Sequence, residues 1–350
     1  MSTSTGSATA LPAPRLRSLV RSEVRRATSR RALAWMTALA TLAVLGVAAI
    51  MWFTTAAIDA GDLAGATDRF RAEQQQSYEQ CLADPAIPES EKQNACWRPT
   101  EQEIVDNAIW TLPKQPFDAG TLEGLLIFAG GIGTLAAIML AASAGGADWG
   151  ARTMGLLLSW EPRRQRVFLV RLVVAMVIGT MVVAWLAVLA LALGAAIASA
   201  HGLAADAVPA LGAQFRPAAM DQGLELALRW LPLGALAAAG GFGVAMLTRS
   251  TGWAIGATIG FVAIVETIVQ NLWAWGSQWL MQTNIAAWLQ GGIQWRVDRN
   301  PVTYGSGPVV DEVPPGTIFI TDTRAMAWLA GLAVVAVLVS LVGFLRRDVE

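Results

Sequence analysis

The segment "VFLVRLVVAMVIGTMVVAWLAVLALALGAAIAS", Val167–Ser199, decides the fold because it is apolar over almost its whole length. A helix needs about 20 apolar residues to cross the hydrocarbon core of a bilayer, so this segment is long enough to tilt or to extend beyond it. The chain of 350 residues is 55% hydrophobic and 15% charged, whereas soluble domains carry about 25% charged residues. The mean hydropathy is +0.48. This composition indicates a protein whose main solvent is the bilayer.

Further apolar segments on both sides of Val167–Ser199 are also long enough to cross a membrane. The sequence therefore predicts an all-α polytopic membrane protein with six transmembrane helices. In the fourth span, Glu225, Arg229 and Pro232 interrupt the apolar pattern near one end. The five further spans are Ala32–Thr55, Leu122–Ser143, Leu224–Leu247, Gly252–Leu272 and Ala325–Leu345.

The charges flanking these spans predict how the chain is oriented. Short basic flanks remain on the cytoplasmic side, and with six spans all the basic flanks fall on one side, so we expect both termini in the cytoplasm. The basic flanks contain Arg15, Arg17, Arg21, Arg25, Arg26, Arg30, Arg31, Arg152, Arg163, Arg164, Arg166, Arg171, Arg249, Arg346 and Arg347. The opposite side receives an acidic first loop, with Asp59, Asp62, Asp68, Glu73, Glu79, Asp84, Glu89, Glu91, Glu101, Glu103, Asp106 and Asp118.

The first span is interpreted as a retained anchor, because its basic flank and apolar run are both longer than those of a cleaved signal peptide. Arginine in place of lysine, with abundant alanine, hints at a GC-rich bacterial genome. We therefore expect a multi-pass protein of the bacterial cytoplasmic (inner) membrane. The net charge of −1 gives no indication of a nucleic-acid partner.

The predicted organisation has two parts. Residues 1–31 are a disordered tail followed by an amphipathic helix, in which Leu16, Leu19, Val20, Val24 and Ala27 recur at helical spacing. This helix lies in the headgroup plane with its arginines toward membrane lipids, or else it is only a basic flank that fixes the topology. Residues 32–350 form the six-span domain, with an outer insert 56–121, a cytoplasmic loop 145–166 and an outer Trp-rich loop 273–323.

The two outer loops differ in kind. The outer insert contains several prolines and the two cysteines, Cys81 and Cys96, so we expect short helices and turns closed by one structural disulfide; two unpaired thiols are the alternative. The outer Trp-rich loop is expected to form one or two helices at the membrane interface, followed by an extended segment or hairpin. Its tryptophans are Trp273, Trp275, Trp279, Trp288 and Trp295.

The sequence lacks the residues that several kinds of chemistry require. The only lysines, Lys92 and Lys114, follow no Gly-rich phosphate loop, so the chain has no Walker A motif of its own. The single histidine, His201, cannot form an HExxH or His-rich metal site and is expected to be a solvated loop residue. We therefore expect no enzyme activity, catalytic residue, metal or cofactor in this chain. An intramembrane enzyme built on Glu266 and His201 is the remaining enzyme hypothesis.

Two intramembrane features leave alternatives open. Glu266, in "FVAIVETIVQN", is a carboxyl within the fifth span, where ionisable groups are costly and often functional. It lines a polar path or pairs with Arg229, or else it is a neutral or hydrogen-bonded glutamate that stabilises helix packing. Gly252, Gly256 and Gly260 recur every four residues and serve either packing within the chain or contact between subunits.

The most specific stretch is "DWGARTMGLLLSWEPRR", Asp148–Arg164. Asp148 comes after Gly145 and Gly146 and is placed near a helix start. "RTMGLLLSW" supplies one or two helical turns, and Pro162 ends the helix. The basic residues that follow return the chain to the membrane. This pattern predicts a short helix parallel to the membrane on the cytoplasmic side, tied to spans two and three and suited to docking a partner.

This stretch resembles the cytoplasmic loop of type-2 ABC transporter permeases, in which an acid is followed by Gly-Thr, Leu-Leu and Pro-Arg. The ending "FLRRDV", Phe344–Val349, is similar to the exit of the last span in that family. Two positions depart from the pattern, because Asp148 replaces a glutamate and Arg152 replaces the glycine before Thr153. The resemblance extends to the N-terminal helix and the six spans, and hence to nearly the whole chain.

The resemblance implies a membrane subunit of an ATP-driven exporter of unspecified cargo. Two copies, or this chain and a paralogue, would associate with two cytosolic ATPase subunits that bind ATP and Mg. A non-transport scaffold or sensor with ligand-binding outer loops is the alternative. The implied coupling and partner-binding residues are Asp148, Trp149, Arg152, Thr153, Pro162, Arg163, Arg164 and Arg166.

Overall fold

A computed structural model describes residues 16–160, 163–202, 220–273, 275–296 and 317–346. These residues are almost entirely helical. The helices are α1 Leu16–Thr28, α2 Arg31–Thr54, α3 Ala60–Ala83, α4 Glu89–Ala95, α5 Glu101–Ala108, α6 Ala119–Gly150, α7 Met154–Trp160, α8 Arg164–His201, α9 Met220–Thr248, α10 Thr251–Gly260, α11 Thr267–Leu272, α12 Met281–Leu289 and α13 Asp322–Arg346. A π-helical stretch, Phe261–Glu266, joins α10 to α11, and 3₁₀ turns lie at Ile109–Thr111 and Gly276–Trp279.

Six helices are long and apolar enough to cross a membrane: α2, α6, α8, α9, the run from Thr251 to Gln270, and α13. The most apolar 18-residue window of each has a mean hydropathy between 1.6 and 2.7. These six helices confirm the predicted fold class, an all-α polytopic fold, and the chain is a multi-pass membrane protein.

The fourth span is one continuous helix, although Glu225, Arg229 and Pro232 interrupt its apolar pattern. Helix α9 runs unbroken from Met220 to Thr248 and contains Pro232 in its interior. Proline removes one backbone N–H and crowds the carbonyl four residues earlier, but membrane helices tolerate it where neighbouring helices hold them in place. Trp230 and Leu233 on either side of Pro232 are both buried, so packing keeps α9 continuous there.

The chain divides into two compact units. The first contains residues Met1–Leu39, Ile132–Ala184 and Arg229–Glu350, and the second contains Ala40–Gly131 and Trp185–Leu228. The boundary falls within helices α2, α6, α8 and α9, each of which contributes residues to both units.

An aromatic core holds the first unit together. The ring of Phe168 in α8 lies 5.4 Å from that of Phe242 in α9 and 5.9 Å from that of Phe344 in α13. Met154, the first residue of α7, is buried in the same cluster. Three membrane-crossing helices and the start of the short helix α7 therefore share one set of contacts.

Helices α6 and α9 pack closely against each other at Gly241. A Cβ atom on Gly241 would lie 2.7 Å from the backbone oxygen of Ile138 and 3.1 Å from its Cα, whereas one on Gly240 would have nothing within 4 Å. Small residues allow membrane helices to pack backbone to backbone. Gly241 is therefore required by this contact, and Gly240 is not.

We expect Gly241→Ala to lower the free energy of unfolding by about 1–3 kcal/mol, because the clash is with backbone atoms that cannot move alone. Gly240→Ala, in the same helix, should be neutral or slightly stabilising, since alanine favours the helix by up to about 1 kcal/mol. Denaturation of both variants in detergent provides the comparison. Equal effects would show that the α6–α9 contact is not as close as described.

Helices α3 to α5 belong to the second unit. A capping box between Asp59 and Asp62 starts α3, and one between Thr100 and Glu103 starts α5. The prediction of short helices is wrong for α3, whose 24 residues contain no proline or other strong helix breaker. The prolines of this region lie outside α3, so the helix is not interrupted.

The links among these helices are covalent and ionic. A disulfide joins Cys81 in α3 to Cys96, directly after α4. Arg71 donates to Glu101 at 2.8 Å, and this hydrogen bond raises the pKa of the exposed Arg71 guanidinium above its ordinary value. The segment between α2 and α6 is therefore a folded insert.

His201 ends α8 in the same unit. Its Nδ1 lies 3.1 Å from Oγ1 of Thr55, and its ring centroid is 4.4 Å from that of Trp52. The sequence predicts a solvated loop residue here; the structure instead gives His201 specific neighbours.

The Trp-rich segment, in the first unit, contains a 3₁₀ turn, helix α12 and two short strands. Strands β1 Ile293–Arg296 and β2 Thr317–Ile320 are antiparallel, with Ile293 opposite Ile320. Residues 297–316, where most of the predicted extended segment or hairpin lies, are outside the described residues. Trp279 contacts Trp328 of α13 at a centroid distance of 5.6 Å, which anchors the 3₁₀ turn to that helix.

Candidate functional site

Asp148 lies in the last turn of α6, not at the start of a helix as predicted. The glycines before it, Gly145 and Gly146, do not end α6. They allow the backbones of α9 and of the start of α10 to approach α6 closely. A Cβ on Gly145 would lie 3.0 Å from the carbonyl oxygen of Phe242, and one on Gly146 would lie 2.7 Å from Oγ1 of Thr251. The glycines that suggested a helix boundary therefore serve close packing inside the helix.

Helix α6 ends in a Schellman motif. The N–H of Thr153 donates to the carbonyl of Asp148 at 3.0 Å, and the N–H of Arg152 donates to the carbonyl of Trp149 at 3.1 Å. Arg152 has a φ of +56°, the left-handed conformation that this motif requires and that glycine usually supplies. The permease pattern has glycine at this position. This chain therefore departs from the pattern, with Arg152, at a position where the backbone conformation favours glycine.

We expect Arg152→Gly to raise the free energy of unfolding by about 0.5–1 kcal/mol, because glycine avoids the Cβ clash of the left-handed region. Arg152→Ala keeps the Cβ and should give no such gain. Thermal unfolding of the two purified variants would distinguish them. A stability gain for alanine equal to that for glycine would mean that removing the charge, and not relieving the backbone, is responsible.

The carboxylate of Asp148 is the centre of an ionic network. Arg171 of α8 pairs with it directly, Arg26 of α1 lies 3.2 Å away, and Arg30, between α1 and α2, lies 3.7 Å away. Glu23 of α1 lies 3.7 Å from both Arg171 and Arg26. We call these five residues the arginine–carboxylate cluster.

The arginine–carboxylate cluster is largely removed from solvent. Arg171 is 3% exposed, Asp148 6% and Glu23 7%. Burying ions is costly unless their remaining donors are also satisfied. Backbone carbonyls of α6 meet that need, because Arg171 donates to the oxygen of Ala144, and Arg30 to that of Ser143 at 2.7 Å. Burial lowers the pKa of the Arg30 guanidinium, and the charge of Asp148 opposes that shift.

From sequence, Arg26, Arg30 and Arg171 are only charges that set the topology, and Glu23 has no assigned role. One signal could have revealed their role, because Arg171 lies inside the apolar run of the third span, where a charge requires a partner. Glu23 is the one acid of a strongly basic helix. The structure joins these residues to Asp148 and so ties α1 to α6 and α8.

The other predicted residues occupy two different environments. Trp149 packs inward, with the Arg249 guanidinium 4.5 Å from its ring and Phe344 edge-on at 6.4 Å. Thr153 contacts Asp148, with Oγ1 3.4 Å from Oδ1. Arg152 and Arg163 are exposed, whereas Arg164 and Arg166 are half-buried. Pro162 lies outside the described residues.

Helix α7 has a buried first residue and an exposed leucine in its first turn. Met154 is buried in the aromatic core, while Leu156, two residues later, is 66% exposed. Only Ala151–Thr153 separate α7 from α6, and only residues 161–163 separate it from α8. The short helix is thus closely linked to both membrane-crossing helices and offers an apolar surface.

The structure does not pair Glu266 with Arg229, which is one of the alternatives that the sequence leaves open. Glu266, 1% exposed, accepts from the backbone N–H groups of Met281 at 2.7 Å and Gln282 at 3.2 Å, so it caps the N-terminus of α12. Arg229 donates to the carbonyl of Trp288 at 2.5 Å and lies 3.8 Å from Asp322. Each charge is satisfied by its own neighbours, which supports the packing interpretation of Glu266.

Within the described ranges, no group of three or more His, Cys, Asp or Glu side chains could hold a metal ion. In comparisons with family models, curated proteins and solved structures, the chain has no significant match.

Proposed function

We propose that this chain is the membrane-spanning subunit of an ATP-driven exporter of the type-2 ABC class, in a bacterial inner membrane with both termini cytoplasmic. A second copy or a paralogue completes the transmembrane part. Two cytosolic ATPase subunits, which bind ATP and Mg, dock on α7 and power translocation. The observation that carries this proposal is the arrangement of α7, a short helix with an exposed face held between two membrane-crossing helices.

The contacts of α7 suggest how force would pass through the chain. ATPase closure presses on α7, whose first residue, Met154, is buried in one core cluster with Phe168 and Phe242. Since protein cores are close-packed and transmit displacement, a push on α7 reaches α8 and α9. The arginine–carboxylate cluster brings α1 into the same moving body.

The implied site residues then divide into two roles. Arg152 and Arg163, which are exposed on either side of α7, contact the ATPase. Asp148, Trp149 and Thr153 face inward and position α7 instead of contacting the partner. Arg164 and Arg166 lie at the start of α8 and are half-buried, so their contribution to docking is smaller.

The test is association with an ATPase. Affinity-tagged protein purified from native membranes in mild detergent should carry a P-loop ATPase in a defined ratio. The double variant Arg152→Glu/Arg163→Glu should reduce that association more than about tenfold, because like charges across an interface cost several kcal/mol. The control, Arg69→Glu/Arg98→Glu, makes the same charge change on exposed residues of the insert between α2 and α6 and should have no effect.

The folded insert of α3 to α5, with its disulfide, favours a second candidate, a scaffold or sensor that binds a ligand outside the membrane. Under that function the chain would purify without any ATPase, and reducing the disulfide would abolish ligand binding. Purification alone from native membranes, with no P-loop ATPase gene beside its own, would favour this candidate over the exporter.

A further inference from the structure

A groove of about 890 Å³ runs between α1 and α8 and reaches Leu345 of α13. Its rim contains Arg163, Arg164 and Arg166, and its floor includes Val20, Leu169 and Val173. We call it the α1–α8 groove. Its volume is within the range of pockets that bury small ligands, about 300–1,000 Å³, so it is large enough for part of a lipid.

The floor of the α1–α8 groove is exposed and apolar. Val173 is 55% exposed and Leu169 48%, and both belong to the longest membrane-crossing helix. Beside them, Leu19 of α1 is buried against Val170 and Val174. Helix α1 thus has one side packed on α8, while Val20 faces the groove.

The rim and the floor require different parts of one ligand. Three arginines line one end, and none of the described residues that line the groove is acidic. Guanidinium groups bind phosphate through paired hydrogen bonds, whereas the apolar floor suits a hydrocarbon chain. A ligand that meets both needs is an amphiphile with an anionic head.

We propose that the α1–α8 groove binds an anionic glycerophospholipid, with its phosphate at the arginine rim and an acyl chain along Val20, Leu169 and Val173. The occupant is a lipid and not a soluble protein, because the floor continues along a helix that crosses the membrane. The bound lipid holds α1 against α8 next to their contact at Leu19. The rim arginines are shared with the proposed ATPase docking surface, but lipid binding is measured on this chain alone and does not require that partner.

The experiment measures lipid binding by the delipidated full-length protein. Native mass spectrometry would follow titration with phosphatidylglycerol or with zwitterionic phosphatidylcholine of the same acyl chains. We expect phosphatidylglycerol to bind at least about tenfold more tightly, since each arginine near an anionic headgroup contributes about fivefold. Equal affinity for the two lipids would overturn the proposal.

Two triple variants distinguish lipid binding at the arginine rim from attraction by the net charge of the protein. Arg163→Gln/Arg164→Gln/Arg166→Gln should remove that preference, whereas Arg17→Gln/Arg21→Gln/Arg25→Gln, an equal loss of charge from the exposed side of α1, should keep most of it. Equal losses in both triple variants would show that only net charge attracts the lipid.

A second variant tests the floor without changing charge. Val173→Trp fills the groove and should weaken phosphatidylglycerol binding about tenfold or more, as expected when a bulky side chain takes the place of an acyl chain. If Val173→Trp bound phosphatidylglycerol with the same affinity as the wild type, the proposed position of the acyl chain would be overturned. Displacement of the lipid by millimolar inorganic phosphate would show that the rim takes a free anion, and would also overturn the proposal.

Discussion

Asp148→Asn should lower the free energy of unfolding by about 3–5 kcal/mol, the typical cost of removing one partner from a buried ion pair. The substitution keeps the shape of the side chain but leaves Arg171, which is 3% exposed, without its closest carboxylate. Arg26 and Arg30 lose the same partner. Chemical denaturation in detergent, monitored by tryptophan fluorescence, measures this change in the free energy of unfolding directly.

A matched control and a double variant sharpen this test. Glu101→Gln removes a carboxylate that pairs with Arg71 on the surface, and should leave the unfolding midpoint unchanged, because exposed pairs contribute little. Asp148→Leu/Arg171→Met should recover much of the stability lost in Asp148→Asn, since no buried charge of that pair is then left uncompensated. Equal stability of Asp148→Asn and the wild type would mean that Asp148 is not buried among arginines.

Phe168→Ala should destabilise the protein by about 3–5 kcal/mol. Its ring is fully buried and contacts Phe242 and Phe344, so truncation leaves a cavity where α8, α9 and α13 meet. Because Met154 is in the same cluster, we also expect α7 to become more accessible to proteases. The free energy of unfolding and limited proteolysis measure the two effects separately.

The control for Phe168 is Phe53→Ala, at a position that is 72% exposed. It removes the same ring from the surface of a membrane-crossing helix and should change stability by much less. Similar losses of unfolding free energy for Phe53→Ala and Phe168→Ala would indicate that the cost comes from lipid-facing area and not from the aromatic core.

The spans could be predicted from sequence because a long apolar run has few alternatives to a transmembrane helix. Val167–Ser199 lies wholly inside α8, and helix α7, Met154–Trp160, covers the "MGLLLSW" part of "RTMGLLLSW". Helix ends were harder to predict. Gly145 and Gly146 look like a boundary, yet they lie within α6, because their role is set by α9 and α10 packing against them.

The arginine–carboxylate cluster could not be predicted from spacing, because its members are far apart in the chain. Glu23, Asp148 and Arg171 come together only when α1 docks on α6 and α8. Likewise, Glu266 and Arg229 seemed complementary in sequence, but nearer partners satisfy each of them. A sequence shows which charges need partners in a membrane, and only the packing of helices decides which partners they have.

The most direct test of the central claim, that α7 docks an ATPase, is a cross-link from Leu156. Both cysteines of the chain are in the Cys81–Cys96 disulfide, so Leu156→Cys would introduce a single free thiol. In native membranes, a short thiol-to-amine cross-linker should join this residue to a protein that contains a Walker A motif, and ATP should change the yield. Modification of Leu156→Cys by a membrane-impermeant maleimide in intact cells, without any such adduct, would contradict the account.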